Sequence, residues 1–86
     1  MNIFIYGLNY SVKREDLINL FSPYGEVVSA RIIIDRETHR SRGYGFVDMK
    51  NEEDGKAAIA ALNGSNYKER VINVAIANER PVKKNA

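Results

Sequence analysis

Ile3-Phe4-Ile5-Tyr6 alternates with a period of two and ends at Gly7, which predicts a first strand. Successive strand side chains point to opposite faces, so Ile3 and Ile5 share one face and Phe4 and Tyr6 the other. Leu17, Leu20, Phe21 and Tyr24 then recur at helical spacing, and Gly25 stands where a left-handed residue would end that helix. Its start is weakly marked: Ser11 is the better capping residue, but Lys13 stands nearer the expected boundary. Val27 to Ile34 is rich in β-branched residues and predicts a second strand, and the polar run Asp35 to Ser41 predicts a loop. A third strand follows in Arg42-Gly43-Tyr44-Gly45-Phe46-Val47-Asp48-Met49. Its alternation puts Tyr44, Phe46 and Asp48 on one face and Gly43, Gly45, Val47 and Met49 on the other. Asn51 is a good cap for a second helix, with Glu52, Glu53 and Asp54 in its first turn. Ala58, Ile59 and Leu62 form its buried stripe, and Asn63-Gly64 stops it. Val71 to Ala77 reads as one last strand with Ile72 and Val74 on a common face.

The order β-α-β-β-α-β is the split βαβ arrangement, an α+β, ferredoxin-like sandwich. Right-handed crossovers place both helices on one face of an antiparallel sheet. Two helices cover only one face, and the aliphatic residues claim it. Phe4, Tyr6, Tyr44 and Phe46 are therefore expected on the open face, in neighbouring central strands, where an exposed apolar patch marks a binding site. Gly43 and Gly45 weaken the third strand and leave nothing to pack, so they predict close approach by another element. Rings beside the Arg42 guanidinium are what a platform for single-stranded nucleic acid needs.

Composition narrows the class. Eighty-six residues, 44% hydrophobic and 28% charged, suit one domain, expected over 1–79, with a basic tail over 80–86. The chain has no cysteine, which excludes disulfides and thiolate metal sites. The single His39 has no carboxylates arranged around it, so neither a metal nor a cofactor is expected. No apolar run has the length of a membrane span and no signal-peptide pattern opens the sequence. A soluble, cytoplasmic monomer is the resulting expectation. The net charge of +2 matters less than its distribution. Acidic residues cluster at Glu15-Asp16 and Glu52-Glu53-Asp54, in the expected helix starts, and leave Arg31, Arg36, Arg40 and Arg42 for another surface. Arg80, Lys83 and Lys84 in the tail would add nonspecific attraction that salt removes.

Arg42 to Met49 resembles the longer RNP motif of the RNA-recognition motif (RRM) family, and Ile3-Phe4-Ile5-Tyr6-Gly7-Leu8 resembles the shorter one. Ser22-Pro23-Tyr24-Gly25-Glu26-Val27, Asp35-Arg36-Glu37-Thr38, Ala58-Ile59 through Leu62-Asn63-Gly64, and Arg70 to Ala77 fall where family members carry similar segments. The resemblance implies a four-stranded sheet of order 4-1-3-2. It further implies that Phe4 and Phe46 each stack under a base, that Tyr44 inserts between sugars, and that Arg42 pairs with a phosphate. Tyr6 adds an unusual further ring that either extends the platform or occludes part of it, Arg31, Arg40 and Arg80 are further candidate contacts, and Asp48 is a candidate specificity or solubility residue. The implied partner is single-stranded RNA, with single-stranded DNA a weaker one, and the implied role is RNA chaperone or post-transcriptional regulator.

The sequence departs from the family pattern at Met49, at His39 where a glycine is usual, at Lys13 where Ser or Thr commonly caps, and at Glu69 where a glycine commonly precedes the last strand. Two other readings compete. Acyl-phosphate hydrolysis on this fold needs an anion-cradling loop, but Gly7-Leu8-Asn9-Tyr10-Ser11 has one glycine and no arginine, so no enzyme is expected. An RRM-like module that docks a protein is the alternative, although such modules often lack the sheet aromatics present here.

Overall fold

A computed structural model describes residues 1–77. Strand β1 (Asn2–Tyr6) is followed by α1 (Arg14–Phe21), a short 3-10 turn (Ser22–Tyr24), β2 (Val27–Ile34) and β3 (Ser41–Met49). Helix α2 (Glu52–Leu62) leads to a small hairpin of β4 (Asn66–Tyr67) and β5 (Arg70–Val71), then to β6 (Asn73–Ile76). The four long strands form one sheet in the order β2-β3-β1-β6, which is 4-1-3-2 read from the other edge with β6 as the fourth. Every neighbouring pair is antiparallel.

One core cluster joins Ile3 and Ile5 of β1, Val47 and Met49 of β3 and Val74 of β6 to Leu17 and Phe21 of α1 and Ala58 and Leu62 of α2. Both helices therefore sit on the aliphatic face, as the alternation requires. Among the described residues no helix is long and apolar enough to cross a membrane. The tail with Arg80, Lys83 and Lys84, and the boundary expected at residue 79, lie outside the described residues.

Four local expectations are corrected. Helix α1 stops at Phe21, because Pro23 has no N–H to continue the ladder and the chain tightens into the 3-10 turn that carries Tyr24. Gly25 is extended (φ 160°) and not left-handed; it is glycine because a Cβ there would run into the Asp54 side chain. Asn51 occupies the cap position of α2, yet its side chain donates to Asp54 Oδ2 (3.2 Å) and makes no cap bond. The last strand is divided: Gly64 N–H donates to the Ile72 carbonyl (2.8 Å) and Ile72 N–H to the Ser65 carbonyl (2.9 Å). Those bonds tie Ile72 to the end of α2 and split Val71 from β6. The hairpin before it turns on Lys68 (φ 50°) and Glu69 (φ 69°), two left-handed residues where Gly or Asn would be at ease.

The start of α1 settles on Lys13, whose extended backbone N–H donates to Asp16 Oδ2 (2.8 Å). Lysine offers no acceptor, so only this half of a capping box forms. That bond, with Lys68 Nζ 3.5 Å away, holds the Asp16 carboxyl below its usual pKa. His39 adopts φ 61°, so the residue standing for the usual glycine takes the left-handed turn without one.

Candidate nucleic-acid interface

The antiparallel register aligns the rings in rows. Phe4 pairs with Phe46 and Tyr6 with Tyr44 across β1 and β3, on the face that the helices leave uncovered. Phe4 is the hub of the cluster: its ring centre lies 5.3 Å from Tyr6, 5.3 Å from Phe46 and 5.7 Å from Tyr44. Tyr6 stacks on Phe4 at an interplanar angle of 26° and remains 44% exposed, so it extends the ring surface. Such offset and edge-on pairs hold one another in place and need no second layer above them.

Glycine makes the platform possible from beneath. A Cβ on Gly45 would meet the Arg31 carbonyl of β2 at 2.5 Å, so β2 can close on β3 only if that position is bare. The close approach expected from the sequence is found here, and the approaching element is the neighbouring strand. Gly43 serves differently: its φ of +83° turns the chain as Leu8 N–H donates to its carbonyl (2.9 Å).

The flanks are charged. Arg31 pairs with Phe46 across β2 and β3, and its guanidinium carbon stands 5.1 Å from that ring's centre. The guanidinium thus lies within cation–π range of the Phe46 ring. Arg42, at the entrance of β3, donates from a terminal nitrogen to Asp35 Oδ2 (3.2 Å). Asp35 Oδ1 meanwhile accepts from the N–H groups of Glu37 (2.8 Å) and Thr38 (3.2 Å). Those two bonds, more than Arg42, hold the Asp35 carboxyl below its usual pKa. The loop thus builds a carboxylate that orients Arg42 and still leaves most of its donor fork free. Asp48 shares the ring face, opposite Asn2 and beside Ser29, and its Oδ1 receives the Met1 ammonium at 3.3 Å.

Among the residues singled out in the sequence, the structure brings Phe4, Tyr6, Tyr44, Phe46, Arg31 and Asp48 together on this face, with Arg42 at its edge. Arg40 lies off the ring face, in the β2–β3 loop, where it lines a concavity together with Arg42 and Asp35, and Arg80 lies outside the described residues. Two groups are added by the structure. Asn73 and Ala75 of β6 pair with Tyr6 and Phe4 and so complete the rows. The alternation from Ile72 and Val74 carries that signal. Asp35 reads only as a loop residue in the sequence, and the Asp-x-x-Thr spacing that builds its N–H cradle is the clue. Among the described residues no group of His, Asp and Glu could hold a metal.

A family model described as RNA recognition motif matches residues 3–73. The chloroplast RNA-binding protein CP31B of Arabidopsis thaliana is 50% identical over 91% of this chain, which spans 27% of that protein's length. The putative RNA-binding protein RbpE of a Nostoc species is 43% identical over 96% of this chain and 84% of its own length. Among solved structures, RNA binding protein PG1 superposes with a TM-score of 0.90 at 51% identity, over 94% of this chain and 98% of the other.

Proposed function

The chain belongs to the RNA recognition motif family, and we propose that its uncovered sheet face binds single-stranded RNA. The observation that carries this reading is the register that sets Phe4 against Phe46 and Tyr6 against Tyr44 where no described element covers them. Phe4 and Phe46 each offer a ring to a base, Tyr44 inserts between sugars, and Arg42 turns its free donors to a phosphate. A stacked base contributes ~1–3 kcal/mol, so two stacks with phosphate contacts place a lone domain near micromolar affinity, about −8 kcal/mol. The 2′-hydroxyl favours RNA over single-stranded DNA. Relatives named as RNA-binding proteins support the ligand class, and the role we assign is that of a monomeric RNA chaperone or post-transcriptional regulator.

Fluorescence anisotropy with a labelled, degenerate single-stranded RNA tests the reading. Wild type is expected to bind at micromolar concentration and Tyr44→Ala/Phe46→Ala to lose most of that affinity, with an unchanged far-UV circular dichroism spectrum. Equal binding by the folded double variant, or no binding by wild type, would move the rings to the protein-docking alternative.

A further inference from the structure

The polar residues of the ring face are ordered as strictly as its rings. Across β2, β3 and β1 the register sets Arg31 and Phe4 on either side of Phe46. One row further, it sets Ser29 and Asn2 on either side of Asp48. Phe46 and Asp48 are neighbours on one face of one strand, about 6.6 Å apart along it. A concavity of about 530 Å³ opens over these two rows, with Asn2, Ser29, Arg31, Phe46 and Asp48 in its walls. One wall is therefore a ring on which a base can lie, and the wall beyond it is a carboxylate.

That carboxylate is largely unused. Its side chain is 39% exposed, its Oδ1 takes the Met1 ammonium at 3.3 Å, and its Oδ2 accepts no hydrogen bond among the described residues. A carboxylate has about four acceptor positions and no donor. Beside a strand of phosphates such a charge is repulsive, and only a group that donates hydrogen bonds offsets it. Single-stranded bases present their Watson–Crick edges free. Adenine and cytosine each offer one amino group there, next to a bare ring nitrogen that the carboxylate repels. Uracil offers one N–H between two carbonyl oxygens. Guanine alone offers two adjacent donors, N1–H and the 2-amino group, spaced to meet both oxygens of one carboxylate. This is the pairing that an arginine fork makes with a carboxylate, built here from a base.

We propose that Asp48 makes the Phe46 position selective for guanine: the base lies on the Phe46 ring and donates N1–H and N2–H to the Asp48 carboxylate. Asn2 and Ser29 flank that carboxylate, and each carries a donor able to meet the guanine O6, whichever way the base is turned. Selectivity then comes from the row beside the rings, since stacking itself tolerates every base. This rests on the platform reading, because the edge is read only on a base that Phe46 holds.

The test is fluorescence anisotropy at one fixed salt concentration, with labelled hexanucleotides UUXUUU in which X is G, A, C, U or inosine. Wild type is expected to bind the G oligomer roughly tenfold more tightly than the A, C or U oligomers, the scale of one bidentate base contact. Inosine keeps N1–H and lacks the 2-amino group, so it should fall between, roughly threefold weaker than G. Asp48→Asn replaces a two-acceptor edge by one acceptor and one donor. With an unchanged far-UV circular dichroism spectrum, it should bind the A, C and U oligomers more tightly, because a repulsive charge is gone, and lose the preference for G. The proposal falls, and the platform reading stands, if wild type binds the G, A, C and U oligomers alike or prefers another base. It falls too if inosine matches G on wild type. It falls again if Asp48→Asn tightens every oligomer by one factor and keeps the G ratio, since Asp48 would then act through its charge alone. No binding of any oligomer by wild type sinks the platform reading, and the guanine reading with it.

Discussion

The two faces of the sheet are made by the same strands, residue by residue, yet they obey different rules. On β1 and β3, Ile3, Ile5, Val47 and Met49 are all fully buried against the helices. Their neighbours Phe4, Tyr6, Tyr44 and Phe46 are as apolar or larger, and none is buried. Hydrophobic stabilisation scales with area removed from water, so the fully enclosed first face contributes most, and the second, whose rings keep part of their surface in water, contributes less. Rings that keep part of their surface in water and sit in contact with one another are available for a ligand. The contrast also explains Gly45: it lies on the buried face, where β2 must approach, and its bareness costs the ring face nothing.

Ile5→Ala would test the contrast most harshly. The side chain is fully enclosed, so truncation leaves a cavity and is expected to cost ~2–5 kcal/mol of unfolding free energy. Urea denaturation reads it directly. Phe4→Ala, one position away on the opposite face, should cost less, about 1–2 kcal/mol from its ring–ring contacts and the part of the ring it hides from water, while weakening RNA binding by ~1–3 kcal/mol. The two faces would cease to be distinct if Phe4→Ala unfolded the protein as readily as Ile5→Ala.

Both faces are legible in the sequence because strand parity is a strict period of two, and because Ile3-Phe4-Ile5-Tyr6 and Tyr44-Gly45-Phe46-Val47 sort cleanly under it. What is not legible depends on contacts between residues distant in sequence. Nothing around Gly25 announces that Asp54 will press against it, so the glycine reads as a helix stop. The break at Ile72 is likewise set by bonds to Gly64 and Ser65 at the end of α2, whereas the run Val71 to Ala77 has the composition of one strand. Arg40 stays beside Arg42, in a concavity shared with Asp35 and Tyr10, but the β2–β3 loop carries it off the face that bears the rings, and its position in the chain does not announce that.

The small hairpin belongs to neither face and supplies a milder test. Lys68 and Glu69 both hold positive φ, a conformation that costs an ordinary residue roughly 1–2 kcal/mol. Glu69→Gly removes that strain, offset in part by the entropy glycine loses on folding. A net gain of up to about 1 kcal/mol is expected, seen as a raised urea midpoint with unchanged RNA affinity. A loss of stability would mean that the Glu69 side chain holds the turn.

The finest distinction between the faces is written in two aspartates. Asp16 stands at the start of α1, with its carboxyl bonded first to the Lys13 N–H, and Asp35 stands beside Arg42, bonded first to the Glu37 and Thr38 N–H groups. Both carboxyls are held below the reference value of 3.8. A carboxyl whose folded pKa is depressed contributes stability above its unfolded value and loses it as pH falls through the folded one. Both contributions are therefore complete at neutral pH and fade only below about pH 4. Carboxyl carbon shifts in an NMR titration should give midpoints under 3.8 for both. Bound RNA should separate them. If Arg42 leaves Asp35 for a phosphate, the Asp35 midpoint rises slightly, because Arg42 is a lesser cause than the two N–H bonds and the incoming phosphate disfavours the carboxylate. Asp16, remote from the rings, should not move. Equal shifts at both would show RNA acting through overall charge and not through the Arg42 exchange.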